Sequence, residues 1–310
     1  METFNFSHLT KIFTSYQPKD KNENKHNPRI AIISNHYNES FHIKHWLDYY
    51  TKELGSTNCI IVDHSSTENF RQLIHNYDIG IINLPRNFLD EIQMADFISC
   101  LATSLLKFYD IIIHTDIDEI IIPSPNKYNG LVDYFSKNEH NTYTCVGLNV
   151  VNEIYQENPY NNEIPLFDQR QYVRFFSPMC KTVAIRQPVH WSPGYHGLNL
   201  EINFHDYNLF MFHMREMDFT HRLDRLGQQR KYKRSHPEMN LRNQQISNQQ
   251  LFNEFLAMTT WPKSADFNQV IEHANFIQNN LSKQDTFNVV NMDYFPQTLY
   301  KIPDYFKSPF

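Results

Sequence analysis

The sequence predicts an α/β protein: a mostly parallel sheet flanked by helices, followed by a mainly helical C-terminal region. Three observations carry this. From residue 29 onward, short apolar runs alternate with amphipathic stretches, the connections between them are short, and polar clusters fall where the apolar runs end. Strand–helix alternation with short links gives right-handed crossovers and parallel pairing.

Arg29 to Ser34 reads as the first strand. Ser40 to Leu54 reads as a helix, with Ile43, Trp46, Leu47, Tyr50 and Leu54 on one face and Gly55 as its stop. Asn58 to Val62 is the second strand, Thr67 to Asn76 a short helix, and Ile79 to Leu84 the third strand. A long helix, Leu89 to Phe108, leads into a fourth strand at Asp110 to Thr115. The pattern then loosens. Leu131 to Lys137 reads as a helix, Thr142 to Val151 as a strand, and Asn152 to Asp168 as a loop longer than an ordinary connector. Strands follow at Tyr172–Phe176, Lys181–Arg186 and Leu209–His213, and helices at Phe219–Lys233, Gln249–Met258 and Ala265–Leu281. The expected organisation is an N-terminal extension over 1–28, an α/β domain over 29–214 and a mainly helical region over 215–310.

Composition narrows the function classes. A chain of 310 residues buries a large core, and a net charge of -6 argues against nucleic-acid binding driven by phosphate neutralisation. With only 7 glycines, neither G-x-G-x-x-G nor G-x-x-x-x-G-K-[ST] occurs, so no backbone cradle for phosphates is present. A bound diphosphate would have to be neutralised by metal and side chains. Cys59, Cys100, Cys145 and Cys180 are widely spaced, without a C-x-x-C, and are expected as free thiols. Met1 to Lys25 is polar and no apolar run approaches bilayer length, so the expected setting is cytoplasmic.

The residues with most chemistry are Asp116-Ile117-Asp118-Glu119, where the fourth strand ends. Three carboxylates in four residues repel one another unless a cation sits among them, and a hard divalent ion, Mn²⁺ or Mg²⁺, fits oxygen ligands. An exposed acidic turn is the alternative on the residues alone. Asn35–Glu39 and Asp63–Ser66 also fall at strand ends, the edge where ligands sit in such sheets.

The run Arg29 to Glu39, the Trp46 and Tyr49-Tyr50 helix closing at Leu54-Gly55, the run Ile60 to Thr67, and Asp116 to Pro123 occur in this order. In these segments the chain resembles the family-2-like glycosyltransferases of GT-A (Rossmann-like) fold, in the branch whose metal motif is D-x-D-E. Ile120 stands where that family usually has Phe, and His64 where Asn is common. The resemblance implies metal-dependent transfer of a sugar from a nucleotide sugar, UDP-linked by expectation, to a hydroxyl of a glycan or lipid-linked glycan. It further implies inversion, a role in surface polysaccharide or lipopolysaccharide synthesis, and peripheral contact with the inner face of the membrane.

In that setting Asp118 is the expected metal ligand, Asp116 contacts the ribose or the metal through water, and Glu119 orients its neighbours. Asp63 would read the nucleotide base, although it, Ser65, Ser66 or Thr67 could instead cap the next helix. Asn38 and Glu39 would lie near the nucleotide, with Asn38 a rival N-cap. Among the histidines His213 is the first choice of third metal ligand and His196 the second, ahead of His190 and His205. Lys181 or Arg186, not both, would face the diphosphate, since alternate strand residues point to opposite faces. For the general base, Asp218 and Glu216 are named, with Asp168 and Glu163 left open. The basic run Arg222, Arg225, Arg230, Lys231, Lys233 and Arg234 reads as a solvated helix face, or as a contact for a phosphorylated or lipid-linked acceptor. Two rival functions remain: a haloacid-dehalogenase-type phosphohydrolase using Asp116 as nucleophile, although Ile120 stands where its threonine belongs, and a non-catalytic sugar- or nucleotide-binding module.

Overall fold

The computed structural model describes residues 27–67, 70–236, 245–284, 286–290 and 294–307. The expected N-terminal extension lies outside these, save for its last two residues. The first half runs β1 (Ile30–His36), α1 (Ser40–Leu54), β2 (Cys59–Asp63), α2 (Phe70–Leu73), β3 (Gly80–Asn83), α3 (Glu91–Leu105), β4 (Ile111–His114), β5 (Glu119–Pro123) and α4 (Gly130–Lys137). The rest comprises β6 (Thr142–Thr144), β7 (Val146–Val151), α5 (Leu166–Gln169), β8 (Tyr172–Phe175), β9 (Thr182–Ile185), β10 (Gly197–Leu198) and β11 (Leu209–His213). After these come α6 (Phe219–Gln229), α7 (Asn248–Met258), β12 (Lys263–Ser264), α8 (Gln269–Gln278), β13 (Ser282–Gln284), β14 (Phe287–Val289) and β15 (Leu299–Lys301).

The expected fold class is what the structure shows. The first sheet has the order β3-β2-β1-β4-β9-β6. Its four strands from β3 to β4 are parallel, and β9 and β6 add antiparallel pairs. β1, β2 and β4 are apolar runs buried on both faces, as central parallel strands require. A second sheet, β12-β15-β8-β7-β11-β5, stands beside the end of β4.

Several expectations change. Thr142–Val151 is two strands, β6 in the first sheet and β7 in the second, with the switch at Cys145. Gly147 makes this junction possible: a Cβ there would lie 2.3 Å from the Met179 carbonyl carbon. β5 was not expected as a strand, because its Ile-rich run follows the acidic turn without a helix between. Of the helix expected over Thr67–Asn76, the described residues hold α2, and residues 68 and 69 lie outside them. Asn38 and Thr67 exchange hydrogen bonds, the Asn38 side-chain amide to Thr67 Oγ1 at 3.0 Å and the Thr67 N–H to Asn38 Oδ1 at 2.8 Å, which holds Thr67 outside a helix. Beyond residue 215 the chain is not helical throughout, since β12 and β15 complete the second sheet.

Helix α1 positions the site. Its buried face carries Ile43, Trp46, Leu47, Tyr49, Tyr50 and Leu54, and three of these reach the chain around the acidic turn. The Trp46 indole N–H donates to Thr115 Oγ1 at 3.0 Å, and the Tyr49 hydroxyl donates to the Ile121 carbonyl at 2.8 Å. The Tyr50 hydroxyl donates to the Glu119 carbonyl at 3.3 Å and accepts the Ile121 N–H at 2.9 Å. These aromatic rings bury apolar area and satisfy backbone groups at the same time. The turn between β4 and β5 is thereby clamped before any ligand arrives. Gly55 ends the helix with φ 84° and donates its N–H to the Thr51 carbonyl.

Cys59, Cys145 and Cys180 are buried and Cys100 is exposed, all as free thiols. Among the described residues no helix is long and apolar enough to cross a membrane.

Candidate functional site

A cleft of about 320 Å³ opens at the carboxyl ends of β1 and β4, within the range of small-molecule sites. Asp116, Asp118 and Glu119 line it from the β4–β5 turn, His213 from the end of β11, and Glu39 and His42 from the start of α1. Five arginines face it: Arg86, Arg215, Arg222, Arg225 and Arg234.

Register explains how the turn meets His213. β11 lies between β5 and β7, so His213 sits opposite Glu119 on one side and Asn149 on the other. The Met214 N–H donates to the Asp118 carbonyl at 2.7 Å, which ties the turn to the strand end. His213 Nδ1 lies 2.8 Å from Asn149 Oδ1, and its Nε2 lies 3.3 Å from Asp118 Oδ2. In the neutral imidazole that ligation needs, Nδ1–H is donated to the amide oxygen and Nε2 presents a lone pair toward the same space as the carboxylate; the protonated ring instead donates Nε2–H to Asp118. Ligands about 2.1 Å from a six-coordinate cation are about 3 Å apart, so this pair is spaced as two adjacent ligands. An outer hydrogen bond from the second ring nitrogen is the usual support of a ligating histidine.

Glu119 has a different task. Its Oε2 accepts the Asp116 N–H at 2.9 Å, closing the turn, and its Oε1 is 2.7 Å from Lys181 Nζ. The ligand atoms of Asp118, Glu119 and His213 lie within 4.8 Å of one another, but the lysine already compensates Glu119. Asp116 lies 3.6 Å from the same ammonium and accepts from the Asn35 side-chain amide at 3.3 Å. Burial raises the Asp116 pKa and the Glu119 and Asp118 carboxylates add to it, against the pull of Lys181, to about 7. Burial opposes the Lys181 charge, yet Glu119 and Asp116 outweigh it and hold the ammonium's pKa above its ordinary value. Burial likewise opposes ionisation of Asp118, but His213 keeps its pKa well below the carboxylate range. The turn therefore combines one firmly ionised carboxylate with one whose pKa is raised by burial and then by crowded negative charge, a donor set that fits a divalent cation.

Other expected residues are placed elsewhere. Lys181 supports the turn from behind and does not line the cleft. Asp63 does not line it either. Its Oδ1 takes hydrogen bonds from Ser66 Oγ at 2.5 Å and His36 Nδ1 at 3.0 Å, which engage the carboxylate at the β2 corner. Burial raises the Asp63 pKa, but His36 and Ser66 outweigh that and lower it. Asn38 bridges the loops after β1 and β2, and the N-cap of α1 is Glu39, not Asn38.

Both expected bases are engaged away from the cleft. Arg174 grips Glu216 with two hydrogen bonds of 2.7 and 2.6 Å. Burial would raise the Glu216 pKa, but this guanidinium outweighs it and lowers it to about 2. Asp218 is the N-cap of α6, accepting the His221 N–H at 2.8 Å, with Arg170 3.7 Å away. Its place directly before an expected helix was a readable cap signal. Asp168 is exposed near Lys307, 3.9 Å away, and the N–H of Glu163 donates to Asn161 Oδ1 within the long loop.

His196 lines the cleft, but its Nδ1 lies 2.8 Å from the Pro178 carbonyl, and burial lowers its pKa to about 4. His190 pairs with Asp96 and His205 stacks on His140, both outside the cleft. Arg186 donates to Tyr143 Oη and the Phe135 carbonyl, a structural role.

The basic run divides: Arg230, Lys231 and Lys233 are exposed as a solvated face would be, and the other three are not. Arg222, Arg225 and Arg234 turn into the cleft. Arg225 Nε is 2.8 Å from Glu39 Oε2, and its Nη1 donates to the Asn38 carbonyl at 3.1 Å and Tyr232 Oη at 2.8 Å. On the far wall the Arg86 guanidinium lies 3.5 Å from the Tyr37 ring centroid and 5.0 Å from that of Tyr232. Tyr195 closes the near wall at a positive φ of 62°, accepting from the Asn35 amide at 3.0 Å. None of Arg86, His42, Tyr195 and His221 was singled out by sequence reasoning.

No family model matches the chain, and no curated protein matches it. Solved structures that resemble it include mannosyltransferase PcManGT from Pyrobaculum calidifontis in complex with GDP-Man and Mn²⁺, at 16% identity and a TM-score of 0.26. That match covers 47% of this chain and 44% of the other, so the chain spans less than half the mannosyltransferase's length. S. aureus TarS in complex with UDP is similar at 9% identity and a TM-score of 0.29, over 86% of this chain and 98% of that one. Mannose-1-phosphate geranyltransferase from Thermus thermophilus gives 11% identity and a TM-score of 0.25, over 73% and 68%. Likenesses this distant carry no functional weight, and the case for function rests on the site.

Proposed function

We propose that the protein is a metal-dependent glycosyltransferase that moves a sugar from a nucleotide sugar to a hydroxyl group. The observation that carries this is the Asp118–His213 pair, 3.3 Å apart with its outer hydrogen bond to Asn149 in place, in a cleft rimmed by arginines. A cation alone explains the acidic turn. A cation together with five arginines explains a diphosphate, which needs positive charge on several sides and has no glycine-rich cradle here.

In this reading Asp118 and His213 would hold Mn²⁺ or Mg²⁺, with Asp116 beside them. The bound ion would supply Lewis-acid stabilisation of the leaving diphosphate. Arg222 stands where it would meet the same charge from the α6 side, and Arg86 and Tyr37 offer a flat surface for a base. Glu39 belongs to the site through Arg225 and His42. The D-x-D-E resemblance makes UDP the first donor to test and inversion the expected stereochemistry. A glycan or lipid-linked glycan acceptor, surface polysaccharide or lipopolysaccharide synthesis, and a cytoplasmic place at the inner membrane face rest on that resemblance alone.

The phosphohydrolase alternative needs a hydroxyl at Ile120, which is a fully buried isoleucine in β5. The test is release of nucleoside diphosphate from a panel of UDP-, GDP- and CMP-linked sugars with Mn²⁺. Turnover of at least one donor, abolished by EDTA and restored by Mn²⁺, is expected. Metal-dependent binding without turnover of any donor favours a binding module and contradicts the proposal.

A further inference from the structure

We propose that His42, oriented by Glu39, is the general base that removes the proton of the acceptor hydroxyl. This deepens the glycosyltransferase reading and rests on it. Glu39 and His42 are three residues apart at the start of α1, a spacing that puts both on one face. His42 Nδ1 lies 2.9 Å from Glu39 Oε1. Arg225 Nε holds the other oxygen at 2.8 Å, and His221 Nε2 is 3.4 Å from Oε1. Burial opposes ionisation of Glu39, but these neighbours outweigh it and keep it an anion.

An ionised carboxylate only accepts, so neutral His42 carries its proton on Nδ1 and its lone pair on Nε2. That Nε2 is buried and has no hydrogen-bond partner among the described residues, and His42 lines the cleft with Asp118 and His213. An unpaired polar atom costs stability, and its retention beside a reaction centre points to a partner that arrives with the substrate.

A second cation is the rival reading, because Glu39, His42 and His221 offer three ligand atoms within 4.8 Å. Two details oppose it. Arg225 already neutralises Glu39. A ligating histidine also donates its outer N–H to an acceptor, as His213 does to Asn149, whereas His42 has nothing outside it.

The step balances as follows. The acceptor O–H proton passes to His42 Nε2 while the oxygen forms its bond to the anomeric carbon. The bond from that carbon to the diphosphate oxygen breaks, and its electron pair leaves with the nucleoside diphosphate. The resulting imidazolium lies against Glu39, as an oriented histidine–carboxylate pair requires. Around it stand Arg225 and His221 from α6, Asp118 from the turn, and His45 one helical turn on, whose Nε2 lies 2.9 Å from Tyr160 Oη.

The test uses the full chain with whichever donor it turns over. His42→Gln is expected to lower kcat by about 10²- to 10⁴-fold, with donor KM changed by less than about fivefold. Glu39→Gln replaces the anion that orients the ring through Nδ1, so kcat should fall. Nitrogen NMR of the wild-type imidazoles should show His42 protonated on Nδ1 at neutral pH. A His42→Gln enzyme within tenfold of wild type, or an Nε2-protonated His42, overturns the base assignment alone. Absence of turnover by wild type with every donor overturns the glycosyltransferase reading instead.

Discussion

Asp118→Ala is expected to reduce turnover by roughly 10³-fold or more while leaving the fold intact. The side chain is the firmly ionised member of the turn and stands 3.3 Å from His213 Nε2, so its loss removes one of two positioned ligands. A bound cation contributes several kcal/mol to leaving-group charge stabilisation, and about 1.4 kcal/mol is tenfold in rate. The fold survives because the structural bond from this residue is made by its backbone: the Asp118 carbonyl accepts the Met214 N–H, and an alanine carbonyl does the same. Activity measured with a saturating donor and Mn²⁺, beside a thermal melt, checks both parts. An Asp118→Ala enzyme that retains metal-independent activity contradicts the mechanism.

Lys181→Met is expected to have the largest effect on stability, about 3–5 kcal/mol. Lys181 is 1% exposed, with Glu119 Oε1 at 2.7 Å and Asp116 Oδ2 at 3.6 Å. Removing the ammonium leaves the Glu119 carboxylate buried without a countercharge, and its hydrogen bond to the Asp116 N–H keeps it from moving to solvent. Equilibrium urea unfolding should show the loss. Adding Glu119→Gln to the Lys181→Met background should recover a large part of it, because the stranded charge is then gone. A single variant as stable as wild type shows that the turn does not depend on this ion pair.

The parts of the site written locally were legible. Ile111–His114 is an apolar run followed at once by carboxylates, and strand ends of a parallel sheet are where ligands gather, so the turn could be found from the chain. His213 was expected at a strand end and stands at the end of β11. What could not be read depends on residues far apart. The pairing of β11 with β5 and β7 sets His213 against Glu119 and Asn149 across many residues, and nothing in either segment announces its register. The Arg222–Arg234 run was legible only in part: Arg230, Lys231 and Lys233 face water as charge on a helix ordinarily does, and only the placement of α6 over the cleft turns Arg222 and Arg225 inward. His42 was missed for the opposite reason, since it lies within a helix whose aromatic face advertises packing. Glu216 and Asp218 carry the right chemistry, but an ion pair and a helix cap consume them.

The central claim is that Asp118 and His213 are metal ligands, and calorimetric titration with Mn²⁺ in the presence and absence of UDP tests it most directly. The account predicts one Mn²⁺ site per chain, tightened by UDP and weakened severely in both Asp118→Ala and His213→Ala. Binding of Mn²⁺ that is unchanged in the two variants, or no binding to the wild-type chain with UDP present, would contradict it.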